Sequence, residues 1–505
     1  MRQPIRSSIV AATLLAVAAF TPSLTAQGRA VAPAARDLVV RAAQALGGET
    51  ALRGVNTVET RFIGTTFGIG QEESWASPAR PTTVNGRAIA DYAGVRRSQS
   101  LETRPAATPT GAAASRQVLT ADYGVTEVNG TWAPMAATAL RAAQRTMRQQ
   151  PERLVLFALD NPSAVRAIPT RQWREETLDG VRIVQGNDSI ALYFDRVSGR
   201  PTLAVAVTDD AILGDRTTET AYTRWTPTGA VMLPRQVDVY ANGRMVSTTQ
   251  VWQGEVNGTV DEGMFGVDGA LAVRAGNAAQ LAPVPLSVVL VPLGPGVWRA
   301  EGSTHHTLVI EQGNGLLLIE TPQSADRMRA VLDTLASRFP GKAINQAVNT
   351  HHHWDHSSGL RETMSRGIPM LTHQRNVAFL ERIAAAPKSM APDALSRGGR
   401  RPAVRGISDT LVLGSGASTV VIYPINTIHA EGMLAVFVPS VGVLFASDVV
   451  NPPVAPNPAA ILPAIGSAEL IAFAKARGLT VRTYAGGHGI AVPWADIERA
   501  ATPPR

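Results

Sequence analysis

The sequence predicts an α+β protein, in which a mainly antiparallel β domain with a few helices precedes a sandwich of two β-sheets between helices. Three observations indicate this. The chain has 505 residues, which is too long for one hydrophobic core. Residues 55–256 consist mostly of runs that alternate apolar and polar side chains and are separated by turn pairs, as in antiparallel sheets. From about Val297 onward, apolar strand-like runs alternate with helical ones.

The amino terminus has the pattern of an export signal. Arg2 and Arg6 precede an apolar stretch at about residues 9–20, and Ser23-Leu24-Thr25-Ala26 then has the small residues of a cleavage site. We therefore expect residues 1–26 to be a signal peptide and the mature protein to be periplasmic or secreted. No later stretch of the sequence approaches the apolar length of a membrane span.

Composition excludes several kinds of site and partner. The chain has no Cys, which rules out disulfides and a Cys ligand for zinc. All but three of its 47 basic residues are Arg and the net charge is +7, yet no basic run is interleaved with aromatic residues. Nucleic acid is therefore not an expected partner. The expected partner is a small-molecule substrate, and the sequence carries no signal for an oligomeric state.

A domain at residues 27–270 is expected to begin with a helix and to continue as a curved antiparallel sheet. Leu38, Ala42 and Leu46 lie on one helical face, before a Gly-Gly pair that ends the helix. Turn residues predict three hairpins, at 129–130, 197–199 and 242–243, and a helix pair at about 135–159, broken by Pro151. The pattern is similar to that of periplasmic lipoprotein-carrier half-barrels. This similarity implies a structural or docking domain or, alternatively, a domain that binds an apolar ligand.

Residues 271–294, interrupted by prolines, are expected to link this domain to a second one at residues 295–495. The predicted strands of the second domain lie at 297–301, 307–311, 316–320, 344–350, 368–372, 410–413, 418–425, 433–438, 441–446 and 480–484. Its predicted helices lie at 324–338, 374–386 and 467–477. The polar side chains described next follow the ends of these strands, which places them at one edge of a sandwich of two sheets between helices.

Residues 351–356 (His-His-His-Trp-Asp-His) bring four imidazoles and one carboxylate into six consecutive positions. Such nitrogen and oxygen ligands suit zinc, which requires side chains that converge on one point. If residues 344–350 form a buried strand, His351 and His353 point to the same side and can share one ion. Asp355 and His356, beyond the turn, can then reach a second ion. A metal-free explanation is poor, because four His in one loop give a fold no structural benefit.

Two further His and one Asp stand in comparable contexts. All nine His lie between His305 and His488, and the first 304 residues contain none. His429 closes a strand-like run, and His488 lies in a Gly-Gly-His-Gly segment whose glycines allow close backbone approach. Asp448 follows the apolar strand 443–446. A carboxylate at the end of a buried strand needs a partner, and a metal pair is a suitable one.

The order His-x-His-x-Asp-His, then a later His, an Asp after an apolar strand and a Gly-His-Gly, resembles the metallo-β-lactamase superfamily of binuclear metallohydrolases. The resemblance covers roughly residues 290–495 and implies an αββα sandwich that holds two zinc ions, with iron or manganese as alternatives. It implies that the first ion is held by His351, His353 and His429, and the second by Asp355, His356 and His488, with Asp448 bridging both. His352 and Trp354 are expected to point away from the metals. His305 and His306 are expected to form an exposed loop pair or, alternatively, to line the mouth of the site. Glu320 stands where many members of the family carry Asp.

The expected function is that of an exported binuclear zinc hydrolase, in which a hydroxide shared by the ions cleaves an ester, lactone, thioester or amide of a small molecule. Asp355 is expected to orient that hydroxide or to carry its proton. Hydrolysis of β-lactams is a less favoured alternative, because the long β domain and Asp448 at the bridging position both depart from the usual single-domain β-lactamase pattern. Asp448 instead resembles the glyoxalase II and lactonase branches of the family. The same residues are compatible with an iron-dependent oxygenase on this fold. A periplasmic binding or carrier protein is the non-enzymatic alternative.

Overall fold

The computed structural model of the chain describes residues 34–106, 112–280, 286–398, 403–454 and 462–501. Three β-sheets and the helices packed on them make up this part of the molecule. The predicted α+β class is confirmed, since a large antiparallel sheet comes first and two facing sheets between helices follow. The predicted signal peptide lies outside the described residues. Among the described helices, none combines the length and the apolar character needed to cross a membrane.

The first sheet is antiparallel throughout. Its strands are β1 (Thr57–Gly68), β2 (Arg80–Asp91), β3 (Arg96–Pro105), β4 (Ala113–Leu119), β5 (Gly124–Val128), β6 (Thr131–Pro134), β7 (Val165–Trp173), β8 (Glu176–Gln185), β9 (Asp188–Asp195), β10 (Pro201–Asp210), β11 (Gly214–Thr228), β12 (Val231–Ala241) and β13 (Arg244–Val256). The strand order is β6-β5-β4-β3-β2-β1-β13-β12-β11-β10-β9-β8-β7. Strands that follow each other in sequence are neighbours in the sheet, except for β6 and β7, which lie at opposite edges. The pairing of β1 with β13 joins the two series of hairpins.

The predicted hairpin turns lie where the sequence indicates. Asn129-Gly130 joins β5 to β6, with φ of 48° and 85°, and Asn242-Gly243 joins β12 to β13, with φ of 46° and 79°. Two successive residues with positive φ give a turn whose twist matches that of the flanking strands. The third predicted turn, at residues 197–199, joins β9 to β10.

Several helices pack on this sheet. They are α1 (Ala35–Ala45), α2 (Glu49–Arg53), α3 (Ala137–Arg148), α4 (Pro151–Asp160) and α5 (Gly269–Gln280). Leu38 of α1 and Leu154 of α4 share a core with Phe194 of β9. Pro151 begins α4, where the N–H groups of the first turn have no acceptor within the helix, so the N–H that proline lacks costs no hydrogen bond. The predicted break in the helix pair is confirmed.

The prediction of a linker at residues 271–294 requires correction. Residues 271–280 all belong to α5, whose Leu271 and Ala275 are buried against Val118 and Val125 of the first sheet. The apolar face of this Ala-rich segment is sufficient to dock a helix. Residues 289–294 form an edge strand of the next sheet.

The second unit contains two sheets that face each other. In spatial order, one consists of β14 (Val289–Gly294), β15 (Val297–Glu301), β16 (Thr307–Gln312), β17 (Gly315–Ile319), β18 (Ala343–Val348), β19 (Met370–His373) and β20 (Val404–Ile407). The other consists of β21 (Leu411–Leu413), β22 (Val420–Ile425), β23 (Met433–Val438), β24 (Val443–Phe445), β25 (Thr483–Ala485) and β26 (Val492–Pro493). Buried side chains such as Leu308 and Ile319 from the first of these sheets pack against Leu434 and Phe445 from the second.

Helices cover both outer faces of this sandwich. They are α6 (Ala325–Arg338), α7 (Trp354–Ser357), α8 (Leu360–Ser365), α9 (Val377–Ala385), α10 (Ala394–Gly398), α11 (Ala464–Ala476) and α12 (Trp494–Ala501). Met328 of α6 and Leu360 of α8 pack on the sheet that contains β17 and β18, whereas Leu470 of α11 and Ile497 of α12 pack on the sheet that contains β23. The layers are those of the predicted αββα sandwich.

One contact between the two units lies where the turn between β10 and β11 meets the loop after α9. Lys388 donates a hydrogen bond to the carboxylate of Asp209. The carboxylate of Asp215 accepts hydrogen bonds from the backbone N–H groups of Ser389 (3.0 Å) and Met390 (2.9 Å). This polar contact holds the antiparallel sheet against the sandwich.

Candidate metal centre

The polar side chains singled out in the sequence converge at one edge of the sandwich. His351 and His353 follow β18, and Asp355 and His356 lie in the short helix α7 directly after them. His429 follows β22, Asp448 follows β24 and His488 follows β25. Because these strands end at the same edge of the two sheets, segments far apart in sequence bring their side chains to one place.

His351, His353 and His429 form the first ligand set. One ring nitrogen from each lies within 4.8 Å of one from each of the others. Three buried nitrogens in this set have no hydrogen-bond partner among the described residues, namely His351 Nε2, His353 Nδ1 and His429 Nε2. Unpartnered buried nitrogens are costly unless they bind something, so these residues fit a metal ion.

Hydrogen bonds fix which nitrogen is free in the first set. His353 Nε2 lies 2.9 Å from the carbonyl oxygen of Glu72, which can only accept, so the proton is on Nε2 and Nδ1 is bare. His351 Nδ1 lies 3.1 Å from the hydroxyl of Thr350, whose own proton goes to Glu320, so Nε2 of His351 is bare. The rings of His351 and His353 therefore both present a lone pair to the shared point.

Asp355, His356 and His488 form the second ligand set. His356 Nδ1 donates to a carboxylate oxygen of Glu320 (2.8 Å), and His488 Nδ1 donates to the carbonyl of Thr304 (3.2 Å). In the neutral form of both rings Nε2 is therefore the nitrogen without a proton, and the two Nε2 atoms lie 3.2 Å apart. Asp355 Oδ2 lies 3.4 Å from the first of these atoms and 3.6 Å from the second. A cation between these atoms would satisfy all three.

Asp448 lies between the two sets. One of its oxygens is 3.1 Å from His356 Nε2 and 3.7 Å from His429 Nε2, and the other is 3.4 Å from His488 Nε2. The carboxylate therefore contacts donors from both sets, as expected of a bridging ligand.

The electrostatics of the two sets differ. Burial lowers the pKa of His351 well below its ordinary value and the pKa of His429 to about 4, so these rings are neutral ligands at neutral pH. Burial acts in the same direction on His488, but hydrogen bonds to Asp355 and Asp448 outweigh it and raise the pKa of this ring to about 9. Against the opposing effect of burial, His356 and the other neighbouring His hold the pKa of Asp448 well below its ordinary value. The second set therefore requires positive charge, from protons or from a metal ion.

Glu320 supports both sets from behind. Its side chain is fully buried, one oxygen accepts from the hydroxyl of Thr350 and the other from His356 Nδ1. Its φ of 79° is unusual for a residue with a side chain, and such strain is typical of functional sites. Glu320, noted in the sequence only as a departure from Asp, thus fixes the proton positions of one His from each set.

Two expectations about neighbouring His were wrong. His305 is not an exposed loop residue, since its side chain is only 14% exposed and its Nε2 lies 3.1 Å from Asp355 Oδ2. An isolated antiparallel bridge to His488 holds it there. His306 is also buried, and its backbone N–H donates to the carbonyl of Gly487 (2.9 Å). No local sequence signal indicates this pairing, because its partners lie far along the chain.

A loop of the amino-terminal sheet forms one wall of the centre. We call residues 69–79, between β1 and β2, the β1–β2 loop. Gln71 donates a hydrogen bond to Asp355 Oδ1 (2.8 Å), and the carbonyl of Glu72 accepts from His353 and from His352 Nε2 (3.1 Å). His352 therefore lies beside the ligands without belonging to either set, as expected. Trp354 likewise packs on this loop, at Gly70.

The family model described as the metallo-β-lactamase superfamily matches residues 301–488. Among curated proteins, the 2,4-dinitroanisole O-demethylase subunit alpha of Nocardioides sp. (strain JS1661) is 27% identical over 166 residues, which are 32% of this chain. The match spans about half of that relative, 47% of its length.

Solved structures similar to this chain include a metallo-β-lactamase from Pontibacter korlensis, with 15% identity over 43% of this chain and 97% of that one, and a TM-score of 0.33. Another is a metallo-β-lactamase from Hirschia baltica, with 20% identity over 42% of this chain and 96% of that one, and a TM-score of 0.32. The family match spans every residue of both ligand sets and Asp448. Residues 301–488 of this chain therefore belong to the metallo-β-lactamase superfamily.

Proposed function

We propose that this protein is an exported binuclear zinc hydrolase that cleaves an ester, lactone, thioester or amide bond of a small molecule. The observation that carries the proposal is the pair of ligand sets with bare, converging nitrogens and with Asp448 in contact with both. Such an arrangement suits two metal ions a few ångström apart. All seven residues expected to hold them are present and lie together.

When bound, a pair of zinc ions supplies a water of lowered pKa and an electrophilic partner for a carbonyl oxygen. The chain itself orients the proton acceptor. Asp355 Oδ1 accepts from Gln71 and Oδ2 accepts from His305, so the carboxylate is held from two sides. Oδ2 also faces the bare nitrogens of His356 and His488. We assign to Asp355 Oδ2 the role of receiving the proton of the attacking water.

The exposure of the ligands indicates where substrate enters. His351, His353 and His356 are buried, whereas about a quarter of the side chains of His429 and His488 is accessible, and a third of that of Asp355. The open side of the centre is therefore bounded by these three residues. Arg80 lies at this rim and donates to the carbonyl of His429 (3.1 Å), which places a positive charge beside the entrance.

A second candidate function is removal of an O-methyl group from an aromatic compound. It is favoured by one observation, the similarity to a subunit named 2,4-dinitroanisole O-demethylase. The same His and carboxylate donors can hold iron, so an iron-dependent oxygenase reaction also belongs to this candidate.

The experiment combines metal analysis with initial rates. The mature protein, loaded with zinc, is assayed on a panel of β-lactams, lactones, thioesters, carboxylic and phosphate esters and aromatic methyl ethers. Asp355→Ala serves as the catalytic control. A chelator-sensitive rate on one of the acyl substrates that is lost in the variant supports the hydrolase. Iron in the purified protein, together with formation of a phenol from a methyl ether, supports the second candidate instead.

A further inference from the structure

The amino-terminal sheet contacts the metal centre through ligands themselves, not only through the surface of the sandwich. We propose that the β1–β2 loop positions ligands of the metal centre. Gln71 positions Asp355 of the second set, and the carbonyl of Glu72 positions His353 of the first. This inference rests on the proposed metal centre and extends it to a domain that contains no His or Cys.

Gln71 acts on the second set. Its side-chain amide lies 2.8 Å from Asp355 Oδ1, and an amide N–H2 can only donate. This bond occupies Oδ1 and leaves Oδ2 directed at His356 Nε2 and His488 Nε2. Without it, the carboxylate could rotate about its terminal torsion, which is broad and weakly restrained. Gln71 is therefore a positioning residue for a metal ligand.

Glu72 acts on the first set through its backbone. Its carbonyl oxygen accepts from His353 Nε2 (2.9 Å) and from His352 Nε2 (3.1 Å), which uses both lone pairs. The bond to His353 keeps the proton on Nε2, so that Nδ1 is the nitrogen left for the metal. A ring that flipped or changed tautomer would lose this hydrogen bond.

The side chain of Glu72 fixes its own carbonyl in place. It is almost fully buried, accepts from the backbone N–H of Gly70 (2.7 Å) and pairs with Arg244, the first residue of β13. A buried carboxylate with a single cationic partner is strongly destabilised when that partner is removed. A chain of contacts thus runs from β13 through Arg244 and Glu72 to His353.

Further contacts hold the loop as a docked segment. The indole N–H of Trp75 donates to the carbonyl of Arg375 (3.0 Å), and the N–H of Trp354 donates to the carbonyl of Gly70 (3.1 Å). At Gly70, whose φ is 90°, an added Cβ would lie 2.3 Å from the Trp354 ring. Glycine is therefore required where the loop meets α7, and the loop has a defined register against the metal ligands.

Outer hydrogen-bond partners of metal ligands typically change metal affinity 10- to 100-fold. The test uses the full chain and zinc alone, with both affinities measured by competition against a chelating dye. His488→Ala, which removes a donor of the second set, identifies the binding step that belongs to that set. For Gln71→Ala we expect the affinity of this step to fall about 10- to 100-fold, with the other step changed less than about 3-fold.

Arg244→Ala tests the other half of the proposal. This variant frees the Glu72 side chain. We therefore expect the zinc affinity of the binding step that belongs to the first ligand set to fall by a similar factor, about 10-fold or more. Matched controls are Gln253→Ala on β13 and Arg166→Ala on β7. Both side chains are exposed and form no hydrogen bond or ion pair within the described part of the chain, and both variants should bind zinc like the unmodified protein. Absorption spectra of the cobalt-substituted variants report the ligand geometry independently of affinity.

The outcomes separate two failures. If the unmodified chain binds no zinc, the metal centre is overturned, and this inference with it. If it binds two ions and Gln71→Ala and Arg244→Ala match their controls in affinity and cobalt spectrum, only the role of the loop is overturned. Thermal unfolding of each variant distinguishes a local effect from loss of the fold. A variant that has the melting temperature of the unmodified protein but binds zinc more weakly supports the proposal.

Discussion

His356 Nε2 and His488 Nε2 lie 3.2 Å apart, although each ring has its proton on the opposite nitrogen, bound to an oxygen. Two lone pairs at this distance repel each other unless a cation or an added proton lies between them. A metal ion between the two nitrogens would remove this repulsion, so the folded structure favours a cation here independently of any reaction.

The first prediction concerns metal removal. The unfolded chain has no preformed site, so we expect zinc to bind only the folded centre and thereby to stabilise the fold. At a free zinc concentration 100 times the Kd, the gain is about 2.7 kcal/mol per site. Thermal unfolding with zinc and with a chelator measures it, and magnesium is the control ion. Equal melting temperatures with zinc and chelator would contradict the metal centre.

The second prediction concerns His305. His305→Ala removes the donor to Asp355 Oδ2, and we expect kcat/KM to fall about 10- to 100-fold while the melting temperature changes little. Initial rates on the substrate found in the panel give the value. His373→Ala is the comparison, because this His ends β19 and accepts a hydrogen bond from the backbone of Arg375. An unchanged rate for His305→Ala would show that Gln71 alone orients Asp355.

The third prediction concerns the carboxylate of Glu320. In Glu320→Gln, one of the two oxygens is replaced by an N–H2 that cannot accept from Thr350 or His356. Zinc affinity should fall about 10- to 100-fold, as measured by dye competition. Glu320→Asp keeps the carboxylate, so its zinc affinity should fall less than that of Glu320→Gln. Wild-type affinity in the Gln variant would mean that the His tautomers are set elsewhere.

The fourth prediction is a pH dependence in the antiparallel sheet. Glu152 of α4 is 4% exposed, and burial raises its pKa above the ordinary value. As the pH rises above that ordinary value, the unfolded chain loses a proton that the folded protein retains, so the free energy of unfolding falls. Glu152→Gln has no proton to lose and keeps the acceptor for Tyr92.

We therefore expect Glu152→Gln to be more stable than the unmodified protein at pH 8 and nearly equal to it at pH 4. Urea unfolding at both values, under identical metal conditions, measures the difference. Glu381→Gln, at an exposed carboxylate of α9, should show no such trend. A difference that does not change with pH would show that Glu152 is ionised in the fold.

Features encoded over a few residues could be predicted from the sequence. The Asn-Gly turns at 129–130 and 242–243 require positive φ, which Asn and Gly tolerate, and both hairpins formed as expected. The spacing of residues 351–356 likewise placed His351 and His353 together, because alternate positions after a strand share a side.

Features that depend on distant or backbone partners could not be predicted in this way. His305 meets Asp355 because of its bridge with His488, for which the local sequence has no pattern. The contribution of Glu72 to the centre comes from a carbonyl oxygen, which every residue carries, so its position gives no signal. The helix at residues 269–280 was obscured by the prolines that follow it.

The pairing of β1 with β13 has a consequence for how the protein matures. The β1–β2 loop follows β1 and Arg244 begins β13, and the paired residues Glu72 and Arg244 lie 172 positions apart in the sequence. Contacts between such distant segments form slowly, since the chain between them must first be ordered. We therefore expect the pair between Glu72 and Arg244, and with it the support of His353 by the Glu72 carbonyl, to form late in folding. We expect tight metal binding to be a late event in folding as well, because a chain whose first domain is misfolded lacks the contacts that hold Asp355 and His353 in place.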